Sequence, residues 1–260
     1  MCIEHMRPRQ VQNKGLSKAK APRKQFTMKF ETPLIKGTLT RRYKRFLADV
    51  CLENGTELTV HCPNPGAMAG LKDEGNKVWI SDSKNPTRKL QYTWELVEAN
   101  RVIIGINTNR ANAIAREAIE SGMLPSLDPT ASIKPEQKYG TNSRIDFLIE
   151  EAGKPSTFLE VKNVTFQRQL GLHEFPDGVT ARGTKHLNEL VNEAEKGNRA
   201  IMLYIIQRND GDQFSIAEDI DKAYGQTFRE AIAKGLEAYA ICCDMTPDEI
   251  KPLRLVNVIT

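Results

Sequence analysis

The segment Arg199-Ala200-Ile201-Met202-Leu203-Tyr204-Ile205-Ile206-Gln207 constrains the fold more than any other part of the chain. Its apolar run, 200–206, is the longest uninterrupted one in 260 residues and falls far short of the roughly 20 residues that a bilayer-crossing helix needs. No membrane span is expected. A short apolar run with polar flanks reads instead as a strand buried on both faces, which requires helices on both sides of a sheet.

The surrounding sequence supplies those layers. Residues 101–107 are strand-like, and a helix is expected from Asn112, a candidate N-cap, to Gly122, a candidate C-cap. Ala111, Ile114, Ala115, Ala118 and Ile119 fall on its single apolar stripe. Strand-like segments follow at 132–139, 144–150 and 157–165, then a polar loop to about Gly183. A second helix spans 184–197, with Leu187, Leu190, Val191 and Ala194 at helical spacing, and leads into the 199–207 strand. A helix at 217–235 and strands at 238–243 and 253–259 complete the chain. The order helix, three strands, helix, strand predicts an α/β (α+β) domain with a central mixed sheet over 100–260.

Residues 28–99 have a different rhythm. Phe46, Ala48, Val50 and Leu52 alternate with other residues, as do Leu58, Val60 and Cys62 beyond Asn54-Gly55, which predicts a hairpin with a tight turn. Residues 77–81 and 90–97 are extended by composition, and the two prolines of His61-Cys62-Pro63-Asn64-Pro65-Gly66 force a loop. Several short strands in so small a span predict a small barrel.

With 40% hydrophobic residues the chain can bury one large core or two modest ones, which excludes a disordered or fibrous protein. The net charge of +4 is unevenly distributed. Residues 1–27 hold seven basic side chains against one acid, a net +6, leaving −2 for the rest of the chain. This segment reads as a disordered basic extension ahead of a start near Met28; a nucleic-acid arm or a targeting segment are the other readings. The five cysteines, Cys2, Cys51, Cys62, Cys242 and Cys243, are odd in number and form no C-x-x-C pair. Neither a disulfide framework nor a zinc ribbon is expected, and a reducing cytoplasm suits them.

The chemistry centres on Glu160-Val161-Lys162. The tripeptide acid-x-Lys occurs four times in the chain, so the motif alone is weak, but here it lies inside an apolar strand where charge is costly unless matched. Residues two apart on a strand share a face, so Glu160 and Lys162 point together. Asp146 faces them if the preceding strand is an antiparallel neighbour. Two carboxylates and the Val161 carbonyl are the hard oxygen donors that Mg²⁺ (or Mn²⁺) prefers, and Lys162 would orient or help deprotonate an attacking water. Glu117 lies at the edge of the first helix's apolar stripe and Glu120 nearly opposite it, which makes Glu117 the candidate fourth group. A salt bridge between Lys162 and Asp146 accounts for the same residues without catalysis, and spacing does not choose between the two.

The element order together with Asp146 and Glu160-Val161-Lys162 resembles the PD-(D/E)xK nuclease-like core, with Ile145 where that motif has proline. Residues 28–260 as a whole are similar to the sugar fermentation stimulation protein (SfsA) family. The blocks that carry this are 42–50 (RYKRFLADV), 61–66 (HCPNPG), 92–96 (YTWEL), 144–147 (RIDF), 160–162 (EVK), 175–177 (FPD) and 182–187 (RGTKHL). The resemblance implies an N-terminal OB-like β-barrel, a nuclease-like second domain, DNA binding, a cytoplasmic bacterial or archaeal protein, and a role in regulating sugar, particularly maltose, metabolism.

For nucleic acid the candidate residues are Arg41, Arg42, Tyr43, Lys44 and Arg45, four charges beside aromatic rings, as single-strand-binding barrels use. Tyr43 and Phe46 as core residues under merely solvated cations are the other reading. Arg182, Lys185 and His186 lie at the start of the second helix, where free backbone N–H groups favour an anion. His186 reads as a phosphate contact or a surface residue, since no second histidine sits at ligand spacing.

Overall fold

The computed structural model describes residues 27–260, and they form two sheets joined by a short linker. The readings made for residues 1–26, and for Cys2 among them, lie outside the described residues. β1 (Met28–Lys29) precedes β2 (Ile35–Tyr43), β3 (Leu47–Leu52), β4 (Glu57–His61), β5 (Lys77–Asp82), β6 (Tyr92–Ala99) and β7 (Val102–Gly105). The first sheet runs β4-β3-β2-β5-β6-β7, and a parallel bridge from His61 to Thr93 joins β4 to β6 and closes five of the strands into a barrel. The alternation read at Ala48, Val50 and Val60 is the reason: these side chains meet Leu39, Val78, Ile80 and Trp94, all fully buried, inside the barrel. The β3–β4 turn contains Gly55 at a φ of 81°, a value that suits glycine.

The second sheet is built from β8 (Ser132–Tyr139), β9 (Ser143–Glu150), β10 (Thr157–Val164), β11 (Phe166–Gln169), β12 (Gly171–Phe175), β13 (Arg199–Ile206), β14 (Gly211–Ile216), β15 (Glu237–Met245) and β16 (Glu249–Ile259). Three helices accompany it: α1 (Ala111–Glu120), α2 (Ala181–Glu195) and α3 (Lys222–Ala233). The order is β11-β12-β14-β16-β15-β13-β10-β9-β8, and it is mixed: β13 is parallel to β10 and β15, while β8, β9 and β10 are antiparallel. β13 is central and buried along nearly its whole length, as its apolar run predicts. Odd-numbered strand residues such as Phe147, Leu159, Val161 and Leu203 pack with α1; even-numbered Met202 and Tyr204 pack with α2 and α3. None of the helices among the described residues is long and apolar enough to cross a membrane.

The structure departs from the sequence expectations at the joins. β7, expected to open the second domain, pairs with β6 in the barrel sheet, while β1, at the head of the barrel segment, pairs with β16 of the other sheet. The expected polar loop before α2 contains the β11–β12 hairpin, and β14 fills part of the gap before α3. Both are short, polar and weakly alternating, so their strand character comes from neighbours rather than pattern. The linker is anchored where Gly105 N–H donates to Gln207 O and Gln207 Nε2 donates to Asn107 O, at 2.9 and 3.0 Å.

The described cysteines are all free thiols. Cys242 lies 3.5 Å from Nε2 of His173, a fully buried imidazole whose pKa is pushed down to about 4, chiefly by burial and then by the Arg208 charge. The unfolded chain takes up this proton near pH 6.5, so the His173 contribution is fully present above that pH and is lost as the pH falls towards 4. Stability measured by urea denaturation is expected to drop by about 3 kcal/mol over that window. The drop should vanish in His173→Gln, and a flat wild-type profile would contradict this assignment.

Candidate functional site

The β9–β10 ladder pairs Thr157 with Ile149, Phe158 with Leu148 and Leu159 with Phe147, and there it stops. One step further Asp146 stands across from Glu160, and the two strands have begun to part. Main-chain pairing is replaced by a side chain: Val161 N–H donates to Asp146 Oδ2 at 2.7 Å. A strand residue's N–H and C=O leave on the same edge, so the Val161 carbonyl faces the same opening. Alternation puts Glu160 and Lys162 on the face under α2, and Asp146 meets them at the edge where the strands part.

Glu160 is only 3% exposed. Lys162 Nζ donates to its Oε1 at 2.7 Å, and His186 Nδ1 contacts the same oxygen. Arg182 Nε donates to His186 Nε2 at 3.3 Å, so the consistent tautomer carries its proton on Nδ1 and donates it to Glu160. Glu160 Oε2 is buried with no partner. Burial alone would raise the Glu160 pKa, but the His186 hydrogen bond and the Lys162 charge hold it below the usual carboxylate range. Asp146 goes the other way: burial, then repulsion from Glu160, raises it despite hydrogen bonds from Val161 N–H and Asn112 and the charge of Lys162. Two carboxylates, one of them with an idle buried oxygen, and an adjacent carbonyl are a donor set that suits a hard divalent cation. No group of three or more His, Cys, Asp or Glu converges to hold a metal among the described residues.

Glu117 is not part of this cluster. α1 covers the odd face of the sheet, opposite Glu160, and Glu117 accepts from the Met28 backbone N–H, with its pKa raised chiefly by burial. The helix instead contributes Asn112, whose Nδ2 donates to Asp146 Oδ1 at 2.8 Å. Asn112 was expected as the helix cap; the N-cap is Arg110, without a side-chain bond, and Asn107 caps the preceding single turn, Thr108–Arg110. Tyr139, buried with its hydroxyl unpartnered, is a further neighbour of the acids that no pattern marked.

His186 is buried against Glu160 rather than at the surface, while Arg182 and Lys185 are exposed. Lys185 Nζ donates to Thr141 O at 2.9 Å. On the barrel, Arg41 donates to Asp49 at 2.7 Å and lies over the Tyr43 ring, and the Tyr43 hydroxyl also donates to Asp49. Tyr43 is half-buried and Phe46 exposed, so neither is a core residue. Lys44 and Arg45 form the turn after β2, both at positive φ, and have no ion-pair partner among the described residues. Arg42 is different: its Nη2 donates to the carbonyls of Arg45, Asn64 and Gly66 at 2.8 to 3.0 Å, clamping the 61–66 loop.

Together these elements define an OB-type barrel followed by an α/β domain with a central mixed sheet. The chain belongs to the SfsA family: residues 40–106 match the SfsA N-terminal OB domain and residues 109–249 the sugar fermentation stimulation protein RE domain. It is 50% identical over 223 residues to the sugar fermentation stimulation protein homolog of Agrobacterium fabrum, covering 86% of this chain and 93% of that one. The Brucella ovis homolog is 51% identical over 231 residues, 89% and 97% of the two chains. The solved structure of Pyrococcus furiosus SfsA in complex with Ca²⁺ superposes with a TM-score of 0.81 at 25% identity, covering 90% of this chain and 98% of that one.

Removal of Arg42 by Arg42→Ala is expected to cost about 1–3 kcal/mol, because three carbonyls lose their donor. Arg45→Ala should leave urea stability unchanged. Equal stabilities for the two variants would show that Arg42 is not a clamp.

Proposed function

We propose that the protein binds DNA and that its second domain hydrolyses phosphodiesters with a divalent cation, Mg²⁺ or Mn²⁺. The observation that carries this reading is the meeting of Asp146, Glu160 and Lys162 where the ladder opens, with Glu160 Oε2 buried and idle. Asp146, Glu160 and the Val161 carbonyl would hold the ion, and the Ca²⁺ complex of the Pyrococcus furiosus relative supports a divalent site in this fold. When bound, the ion supplies Lewis-acid stabilisation of charge on the phosphoryl oxygens. Lys162 orients the attacking water and its charge favours loss of the water's proton. His186, bonded to Glu160 and Arg182, is a positioning residue that fixes the Glu160 carboxylate. Arg182 and Lys185 near the start of α2 take phosphates, and Lys44 and Arg45 offer free cations on the barrel, with Arg41, Arg42 and Tyr43 shaping that turn. Regulation of sugar, particularly maltose, metabolism in the cytoplasm is the setting that family membership supports.

A second reading is favoured by the charge balance of the cluster, where Lys162 and Arg182 offset Asp146 and Glu160. On that reading the domain is a catalytically silent DNA platform of a transcriptional regulator, and duplex binding is indifferent to metal while falling steeply with salt.

Nicking of supercoiled plasmid on addition of Mg²⁺ or Mn²⁺ is expected, lost at least 100-fold in Glu160→Ala and Lys162→Ala with circular dichroism unchanged. Equal residual nicking in both variants would mark a contaminant and sink the nuclease reading. By calorimetry, Asn112→Ala should weaken Mn²⁺ binding about 10-fold by freeing Asp146, whereas Glu117→Gln should not. Deleting residues 1–27 should lower DNA affinity without abolishing it; complete loss would remove the folded body's sites from consideration.

A further inference from the structure

A cleft of about 610 Å³ lies between the barrel's 63–67 loop and the second domain, walled by the end of β10, by β12 and by the segment leading into α2. It shares both of its inner elements with the catalytic cluster. Asn163, Val164 and Thr165 follow Lys162 directly, and Thr180 caps the helix that carries Arg182 and His186. Val164 is two residues beyond Lys162, about 7 Å along the strand and on the same face.

The lining is a mixture of three chemistries. Arg42 and Arg45 supply positive charge on the barrel side, and neither has a carboxylate partner among the described residues. Arg42 makes all of its bonds through Nη2, to main-chain carbonyls, and its buried Nε has no partner, so no ion pair engages the guanidinium. Of the two acids in the lining, Glu174 pairs with Arg168, while Asp177 accepts from Ala67 N–H at 2.8 Å and keeps its charge against the two arginines. Phe166 and Val179 are apolar, the latter 81% exposed at the rim, with nothing packed over it. Asn64 and Asn163 use their amide oxygens within the protein, accepting from Gly66 N–H and from Gln207, which leaves their –NH₂ groups as donors for a ligand.

A guanidinium without an ion-pair partner for phosphate, apolar surface for a ring face and amide donors for ring-edge acceptors are the requirements of a nucleotide whose base is not paired. A cleft of this volume falls in the range of about 300–1,000 Å³ that encloses small ligands, and a duplex cannot enter it. We infer that the cleft receives an unpaired stretch of the substrate strand next to the scissile phosphate, so that the preferred substrate is single-stranded or splayed DNA rather than a continuous duplex. This inference rests on the proposed phosphodiester-cleaving site for its orientation.

The test uses the full-length protein and fluorescence anisotropy with three oligonucleotides of one sequence: single strand, continuous duplex, and duplex with a splayed end. Measurements are made in EDTA and in Mn²⁺. Single-stranded and splayed DNA are expected to bind at least 10-fold more tightly than the duplex. Val179→Glu and Arg45→Glu, both on exposed side chains and so safe for folding, should each reduce that preference at least 5-fold. A 2-aminopurine in the unpaired segment should change its emission on binding to the wild type and not to Val179→Glu. Equal or better binding of the duplex, or a preference untouched by both variants, would overturn the cleft assignment. Metal-dependent nicking that persists alongside a duplex preference would reject the cleft alone. A single-strand preference lost in both variants but without nicking would uphold the cleft and reject the cleavage reading.

Discussion

The hydrogen bond from Val161 N–H to the Asp146 carboxylate is the interaction on which the cluster depends. An antiparallel ladder continued past Phe147 and Leu159 would seal β9 to β10 and leave Asp146 and Glu160 facing each other as buried like charges, an arrangement that costs several kcal/mol per unmatched ion. Giving one main-chain donor to Asp146 does two things at once. It stabilises that carboxylate with a charge-assisted bond and it parts the strands at the point where the two acids meet. Asn112, from the first turn of α1, holds the other Asp146 oxygen, so the acid is fixed from both sheet and helix. Glu160 is held separately by Lys162 and His186. The opposite pKa directions of the two acids follow: at Glu160 the His186 bond and the Lys162 charge outweigh burial and lower it, while at Asp146 burial and the Glu160 charge outweigh its hydrogen bonds and raise it.

How much of this was legible depends on which residues carry a periodic signal. The β10 motif, the β13 run and the barrel hairpin were readable because alternation and burial coincide there, and the site's carboxylates and lysine were placed together on that basis. Glu117 was misread because helical angle tells which residues border the apolar stripe but not which face of the sheet the helix covers. Once α1 covers the odd face, a residue past its first turn cannot reach Glu160, and only Asn112, near the helix start, reaches round the strand end to Asp146. The β11–β12 hairpin went unseen for a different reason. Its Arg168 is satisfied by Glu174 and by Asp219, fifty-one residues away, a tertiary ion network with no local trace.

The barrel and the second domain are coupled through apolar packing, with Trp79 and Leu96 of the barrel strands buried in the core that α1 covers, and through the ends of strands. Gln207 at the end of β13 bonds the linker at Asn107 and also Asn163 at the end of β10. Asp177 reaches the 63–67 loop, and Arg42 holds that same loop from β2. These bonds set the walls of the interdomain cleft by main-chain groups on both sides, so the cleft's width is tied to the ends of the same strand that carries Glu160 and Lys162. β1 on β16 reinforces this, since the head of the barrel segment pairs with the second sheet.

Charge distribution decides where a polyanion can approach such a body. The chain's +4 divides into +6 in residues 1–27 and −2 in the remainder, so the mean field of the described domains opposes DNA weakly. That field is not decisive, because at physiological salt charges more than about 8 Å apart are largely screened. What matters is the local balance at each approach surface. Arg41 is neutralised by Asp49 and Arg168 by Glu174 and Asp219, which removes them as phosphate partners. Arg42, Lys44 and Arg45 have no ion-pair partner among the described residues; Arg42 and Arg45 line the cleft, and all three line an adjoining hollow that also holds Asp73 and Glu74. Cations without an ion-pair partner therefore stand on the barrel turn, across the cleft from the end of the strand that carries Lys162.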